Sequence, residues 1–270
     1  MTIYAEVIGD PIAHSKSPLI HGFWIEALGL DARYDRRQVA AEDLAGYFAE
    51  RQADSDWRGC NITLPHKQAA LDHVGDPGGV RESIGAINTV LRQGDGSTIG
   101  TNTDAAGFYA PIADRDLTGK PVVVIGAGGA ARAVLFALAR AGVGPVTLLN
   151  RNVLKGAALL SSFGLKGKAL PLGSAIPAAA ALVVNTSTLG MVGQPELAID
   201  LSPLPDDALV YDVVYAPVET ALLAQADARG LETVDGLEML VGQAAIAFEL
   251  FFGVAPPRDR DEELRTLLLA

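Results

Sequence analysis

Apolar runs of strand length alternate with helical spacings through the first hundred residues. Ile3-Tyr4-Ala5-Glu6-Val7-Ile8 predicts a strand that stops at Gly9-Asp10-Pro11. Leu44, Tyr47 and Phe48 fall at i, i+3 and i+4, one face of a helix following Ala41-Glu42-Asp43. Cys60-Asn61-Ile62-Thr63 predicts another strand, stopped at Pro65, and Gly85 to Leu91 leads into a hairpin around Gln93-Gly94-Asp95-Gly96. These elements make an α/β unit of their own. A helix from Asp104 to about Arg115 then leads to a second unit, opened by Gly119-Lys120-Pro121. There Val122-Val123-Val124-Ile125 is apolar throughout, as a parallel strand covered on both faces requires. A helix from Ala130 to Ala141, a strand from Val146 to Leu149 and strands at Ala181 to Asn185 and Leu209 to Val213 continue a doubly wound pattern. Ala178 to Ala181 is read as part of a helix, and Glu238 to Phe252 as one long amphipathic helix carrying Met239, Leu240, Ile246, Phe248, Leu250 and Phe251.

Composition adds bounds. A chain of 270 residues, 49% hydrophobic, is long enough for two modest domains or one large α/β domain. Its 29 glycines against 6% aromatics imply packing by small residues and many tight turns. The single cysteine, Cys60, excludes an internal disulfide and fits a reducing cytoplasm. Met1-Thr2-Ile3-Tyr4-Ala5-Glu6 lacks the basic and apolar regions of a signal peptide, and no apolar run is long enough for a membrane span. A net charge of −11 with no basic stripe argues against nucleic acid. Four scattered histidines give no metal spacing, so no metal site is expected.

The chemistry concentrates in short polar motifs. Lys67 ends Asn61-Ile62-Thr63-Leu64-Pro65-His66-Lys67, and Asp104 ends Gly100-Thr101-Asn102-Thr103-Asp104. A lysine steadied by a carboxylate can deliver the proton that a carbonyl oxygen needs as hydride reaches its carbon. Downstream, Gly126-Ala127-Gly128-Gly129-Ala130-Ala131 follows a strand and opens a helix. The first glycine makes the turn, the second admits a pyrophosphate, and Ala131 permits close packing. After the next strand comes Leu149-Asn150-Arg151-Asn152-Val153-Leu154-Lys155, with two cations and no acid. An acid there would repel a 2′-phosphate, so Arg151 and Lys155 favour NADP over NAD. Ser15 and Ser17 in His14-Ser15-Lys16-Ser17-Pro18 could bind a carboxylate or hydroxyls, or Ser17-Pro18 could be a helix start. His14 reads as a loop-fixing residue, and His21 and His66 lack an acid partner. Asn185-Thr186-Ser187-Thr188-Leu189-Gly190-Met191 and Tyr211-Asp212-Val213-Val214-Tyr215-Ala216-Pro217 lie at the carboxyl ends of strands, where open α/β sheets bind ligands.

Together with Gly9 to Pro18, Gly85-Ala86-Ile87-Asn88-Thr89 and Asp235 to Gln243, these segments resemble the shikimate dehydrogenase family in order and spacing over essentially the whole chain. The resemblance implies two domains facing a cleft. Residues 1–104, completed by helices in 237–270, would bind substrate, and a Rossmann-type domain over 105–236 would bind NADP. It implies reversible NADP-linked reduction of 3-dehydroshikimate to shikimate, in chorismate and aromatic amino acid biosynthesis. Lys67 and Asp104 would be the catalytic pair. Ser15, Ser17, Asn61, Thr63, Asn88, Thr103, Tyr215 and Gln243 would bind substrate. Gly126, Ala127, Gly128, Gly129, Ala130, Asn150, Arg151, Lys155, Thr186, Ser187, Met191, Val213 and Gly236 would bind cofactor. Small molecules rather than nucleic acid or membrane would be the partners, and the protein would be a cytoplasmic monomer or homodimer. Two positions depart from the family's usual pattern. Gly22 follows His21 where Asn is usual, and Asn152 follows Asn150-Arg151 where Thr is common. A quinate or aminoshikimate dehydrogenase, or a non-catalytic NADP-binding relative, is the alternative.

Overall fold

A computed structural model describes residues 2–270. The chain forms two compact units: one runs up to Thr103 and takes in Val241–Ala270, the other is Asp104–Leu240.

The first unit contains β1 (Ile3–Gly9), α1 (Ser17–Leu28), β2 (Ala32–Gln38), α2 (Leu44–Gln52), β3 (Trp57–Ile62), α3 (Val80–Ser83), β4 (Thr89–Arg92) and β5 (Thr98–Thr101). Its sheet has the order β2-β1-β3-β4-β5. β1 pairs parallel with β2 and β3, and β4 pairs antiparallel with β3 and β5. The hairpin and the α2 periodicity match the sequence pattern, with Leu44, Tyr47 and Phe48 all buried. Polar bonds also anchor α2: Glu6 Oε1, buried in β1, accepts from Arg51 Nε at 2.6 Å and Tyr47 Oη at 2.8 Å. A buried carboxylate is tolerable only when paired and bonded in this way.

The second unit contains α4 (Asp104–Tyr109), β6 (Val122–Ile125), α5 (Gly129–Arg140), β7 (Val146–Leu149), α6 (Val153–Ser162), β8 (Gly167–Leu170), β9 (Leu182–Asn185), β10 (Leu209–Asp212), α7 (Ala221–Asp227) and β11 (Glu232–Val234). The chain continues through α8 (Gly236–Phe252), which passes into the first unit at Val241, and ends with α9 (Asp261–Leu269). The sheet order is β11-β10-β9-β6-β7-β8, with every pairing parallel. Counted along the chain this is 3-2-1-4-5-6 read from β8, the dinucleotide-binding order, with its switch point between β6 and β9. β6, β7, β9 and β10 are buried along their whole length, mostly apolar but including Thr147, Asn185 and Asp212.

Two expected elements differ. The helix expected to reach about Arg115 ends at Tyr109 and tightens into a 3₁₀ turn, Ala110–Ile112. Pro111 has no N–H to continue the α-helical ladder. Ala178 to Ala181 is not helical: Ala180 N bonds Pro177 O at 3.1 Å in a turn, and β9 begins at Leu182. Too few residues separate Pro177 from the strand to complete a helix.

Candidate active site

In the first unit, the serine and lysine motifs leave adjacent strand ends. Thr63 N donates to Ile8 O at 2.9 Å and Asp10 N to Leu64 O at 3.0 Å. Gly9 permits this approach, because a Cβ there would lie 2.6 Å from Thr63 Cγ2 and 2.9 Å from Leu64 O. The helix-start question at Ser17 has a structural answer. α1 begins at Ser17, its capping residue is Lys16, and no side chain caps it. Ser15 Oγ accepts from Ser17 N at 3.3 Å. Lys16 Nζ donates to Leu268 O, tying the loop to α9.

Behind these loops lies a buried amide–hydroxyl network. Asn88 Oδ1 accepts from Thr103 N at 2.7 Å, and its Nδ2 donates to Thr103 Oγ1 at 2.9 Å and Gln243 Oε1 at 3.1 Å. Asn61 lies opposite Thr89 in the β3–β4 ladder; its Nδ2 donates to Thr89 Oγ1 at 3.0 Å and Asn88 O at 3.3 Å. Asn61 Oδ1 accepts from Tyr34 Oη at 2.6 Å. Asn61, Asn88, Thr89, Thr103 and Gln243 are all buried. The fold therefore brings Asn61, Asn88, Thr103 and Gln243 into one network. It adds Tyr34 and Thr89, which the sequence reading did not assign to the site.

His21 and His66 are held by their surroundings. His21 stacks on Tyr34 with ring centroids 3.9 Å apart, and burial lowers its pKa to about 3. His66 Nε2 lies 2.7 Å from Val39 O, an acceptor that fixes the proton on that nitrogen. Burial raises the Cys60 thiol, which rules against a nucleophile. Lys67 is half-buried, and its carbonyl accepts from Ile87 N at 2.8 Å, so its turn is tied beside Asn88. Asp104 is buried and is the first residue of α4, in the second unit.

In the second unit, the glycine turn sits at the switch point. Gly126 has φ +107°, and a Cβ there would lie 2.8 Å from Thr186 Oγ1. Thr186 is held by Ile125 O, which accepts from its N at 2.8 Å and its Oγ1 at 2.6 Å. A Cβ on Gly128 would meet nothing within 4 Å, so open space lies beside the helix start. Gly128 also leaves α5 without a side-chain cap, whereas Asn152 caps α6 and Thr220 caps α7. The uncapped N–H groups of α5, with open space before them, suit a pyrophosphate. Ala127 is buried behind the turn, and Gly129 and Ala130 open the helix.

Past β7, Asn150 Nδ2 donates to Asn152 O at 2.8 Å, and Asn152 Oδ1 accepts from Lys155 N at 3.0 Å. Asn152 thus does the capping a threonine could do there, and Arg151 and Lys155 remain exposed. Ser187 N and Oγ donate to Asn185 Oδ1 at 3.0 and 2.7 Å. Met191 N donates to Thr188 O at 3.2 Å, and Val213 N to Asn185 O at 3.0 Å. Gly236 starts α8. Tyr215 is half-buried, and burial raises its phenol.

Residues 7–90 match the shikimate dehydrogenase substrate binding domain, 110–202 the shikimate / quinate 5-dehydrogenase family and 236–264 the shikimate 5′-dehydrogenase C-terminal domain. A shikimate dehydrogenase (NADP(+)) of Sphingopyxis alaskensis is 65% identical over 267 residues, 99% of this chain and 97% of its own length. The chain belongs to the shikimate dehydrogenase family. A crystal structure of shikimate 5-dehydrogenase from Thermus thermophilus, in complex with NADP(H) and shikimate, superposes with a TM-score of 0.87 at 39% identity, covering 99% of this chain and 100% of that one. Ligand-free 5-ketofructose reductase of Gluconobacter sp. strain CHM43 superposes with a TM-score of 0.88 at 32% identity, covering 99% of each chain. The family expected from the motifs is thus the family found, as is its α/β architecture. No helix among the described residues is long and apolar enough to cross a membrane.

Proposed function

We propose that this chain is an NADP-dependent shikimate dehydrogenase, interconverting 3-dehydroshikimate and shikimate in aromatic amino acid biosynthesis. The observation that carries this reading is the Asn88 network, with the Lys67 turn bonded to the same segment through Ile87 N. Such a set suits a ring bearing several hydroxyls, because each amide or hydroxyl is already oriented by its neighbours.

When bound, the cofactor would supply hydride for the C3 carbonyl. Lys67 Nζ gives the C3 oxygen its proton during reduction and takes it back during oxidation, and Asp104 orients the lysine and accepts from a neighbouring hydroxyl. Ser15 and Ser17 hold the ring carboxylate through their hydroxyls. Thr63, Asn88, Thr103, Tyr215 and Gln243 face the ring. Asn61 joins them in the pocket, its amide oriented by Asn88 O and Thr89 Oγ1. Gly126 to Ala130 receive the pyrophosphate, Asn150, Arg151 and Lys155 the adenosine end, and Thr186, Ser187, Met191, Val213 and Gly236 the remainder. A cytoplasmic location fits a chain whose one cysteine is buried and free. The direct test is consumption of NADPH with 3-dehydroshikimate, with shikimate identified as the product. NADPH left unconsumed would overturn the reading.

Two substitutions probe the ends of the site. Arg151→Ala should weaken NADP by about tenfold or more through loss of a charged hydrogen bond, with little effect on NAD. Equal losses for both cofactors in a binding titration would mean that Arg151 only stacks on adenine. Ser15→Ala should raise the KM for shikimate by about tenfold while the KM for NADP stays near its wild-type value. An unchanged shikimate KM would reduce Ser15 to its bond with Ser17 N.

A further inference from the structure

Asp212 ends β10 directly opposite Asn185, its register partner at the end of β9, and is completely buried. Three donors converge on its carboxylate. Oδ1 accepts from Asn185 Nδ2 at 2.9 Å and Val214 N at 3.0 Å, and Oδ2 accepts from Thr220 Oγ1 at 2.8 Å. Burial pushes the carboxyl up to about 6, against the pull of these three bonds, and no neighbouring charge enters that balance.

We propose that Asp212 is a positioning residue for NADP, fixing the direction of the side-chain hydrogen bonds of Asn185, Ser187 and Thr220 in the two loops that flank the cofactor position. The inference rests on the NADP reading above. A carboxylate accepts only, so it fixes which end of the Asn185 amide faces it. Asn185 Nδ2 turns to Asp212 and to Leu189 O at 3.0 Å, leaving Oδ1 for Ser187 N and Oγ. With its hydrogen spent on Asn185, Ser187 Oγ accepts from Leu189 N at 3.2 Å. On the other side, Thr220 gives its hydrogen to Asp212, so its oxygen accepts from Leu223 N at 3.3 Å and caps α7. One buried charge thereby sets the orientation of Asn185, Ser187 and Thr220, on either side of it in the two loops.

A carboxyl whose folded pKa is raised contributes most in its protonated form. That contribution is lost as pH rises from the usual carboxylate range through about 6. Near neutral pH the carboxylate form is therefore less favourable than the protonated form would be, and the three donors are what hold it in place.

The test is NADP affinity of the whole chain by titration at neutral pH, with shikimate affinity and Tm measured on the same samples. Asp212→Asn keeps one acceptor oxygen for Asn185 Nδ2 and Val214 N but turns an NH₂ toward Thr220 Oγ1, which must then accept where it donated. It should bind NADP about tenfold or more weakly, keep its shikimate affinity, and hold its Tm within about 3 °C. Thr220→Val should lose NADP affinity in the same direction, and Thr220→Ser, which restores both bonds, should recover it. If Asp212→Asn does not fold, the Thr220 pair decides alone. Folded variants that bind NADP as wild type does would overturn the inference. A wild-type chain that itself fails to bind NADP would overturn the cofactor reading as well.

Discussion

Lys67→Ala should lower shikimate turnover by about 10²-fold or more while NADP affinity is nearly unchanged. The reduction cannot finish until the C3 oxygen gains a proton, and His66, His21 and Cys60 are poor candidates to provide it. His66 has its proton committed toward Val39 O, and His21 is held neutral by burial with a pKa of about 3. Cys60 is a buried thiol with its pKa pushed up. The Lys67 turn is held by its backbone carbonyl, which an alanine retains, so its bond from Ile87 N survives the change. A selective fall in kcat therefore reads out the ammonium group itself. Near-normal kcat in the purified variant would remove the proton-transfer role.

Gly126→Ala should abolish useful NADP binding, an effect of about 10²-fold, and lower the Tm. At φ +107° the backbone suits glycine, and an added Cβ would lie 2.8 Å from Thr186 Oγ1 and 3.1 Å from Ser187 N. Thr186 cannot retreat cheaply, since its N and Oγ1 are both bonded to Ile125 O. Backbone strain of this kind costs about 1–3 kcal/mol, and the turn must also shift away from the pyrophosphate position. Gly128→Ala is the informative comparison. Its Cβ would meet no protein atom within 4 Å. It should therefore weaken NADP with a much smaller change in Tm. If Gly128→Ala bound NADP normally, the open space beside α5 would not be where the pyrophosphate lies.

Most of the architecture was legible because buried parallel strands leave continuous apolar runs. Val122 to Ile125, Leu182 to Val184 and Leu209 to Tyr211 are of this kind. β2 escaped notice because Ala-Arg-Tyr-Asp-Arg-Arg-Gln is an edge strand with Tyr34 as its one buried residue. Tyr34's bond to Asn61, across 27 positions, was invisible for the same reason. Thr89 lay inside a recognised motif, yet its role depends on the register that sets it opposite Asn61. Gln243 meets Asn88 across 155 positions, which no local pattern encodes; only the family resemblance pointed to it. Asp212 was read as a polar rim residue, whereas its three donors and full burial are products of the folded chain. The break at Pro111 was the reverse case, a local signal strong enough to end the helix that the longer reading ran through.

The most direct measurement is the initial rate of NADPH formation with shikimate, run beside quinate and beside NAD in place of NADP. Rapid turnover of shikimate, selective for NADP and well above that of quinate, is the expected result. Absence of turnover with shikimate, in a chain that demonstrably binds NADP, would contradict the proposed function.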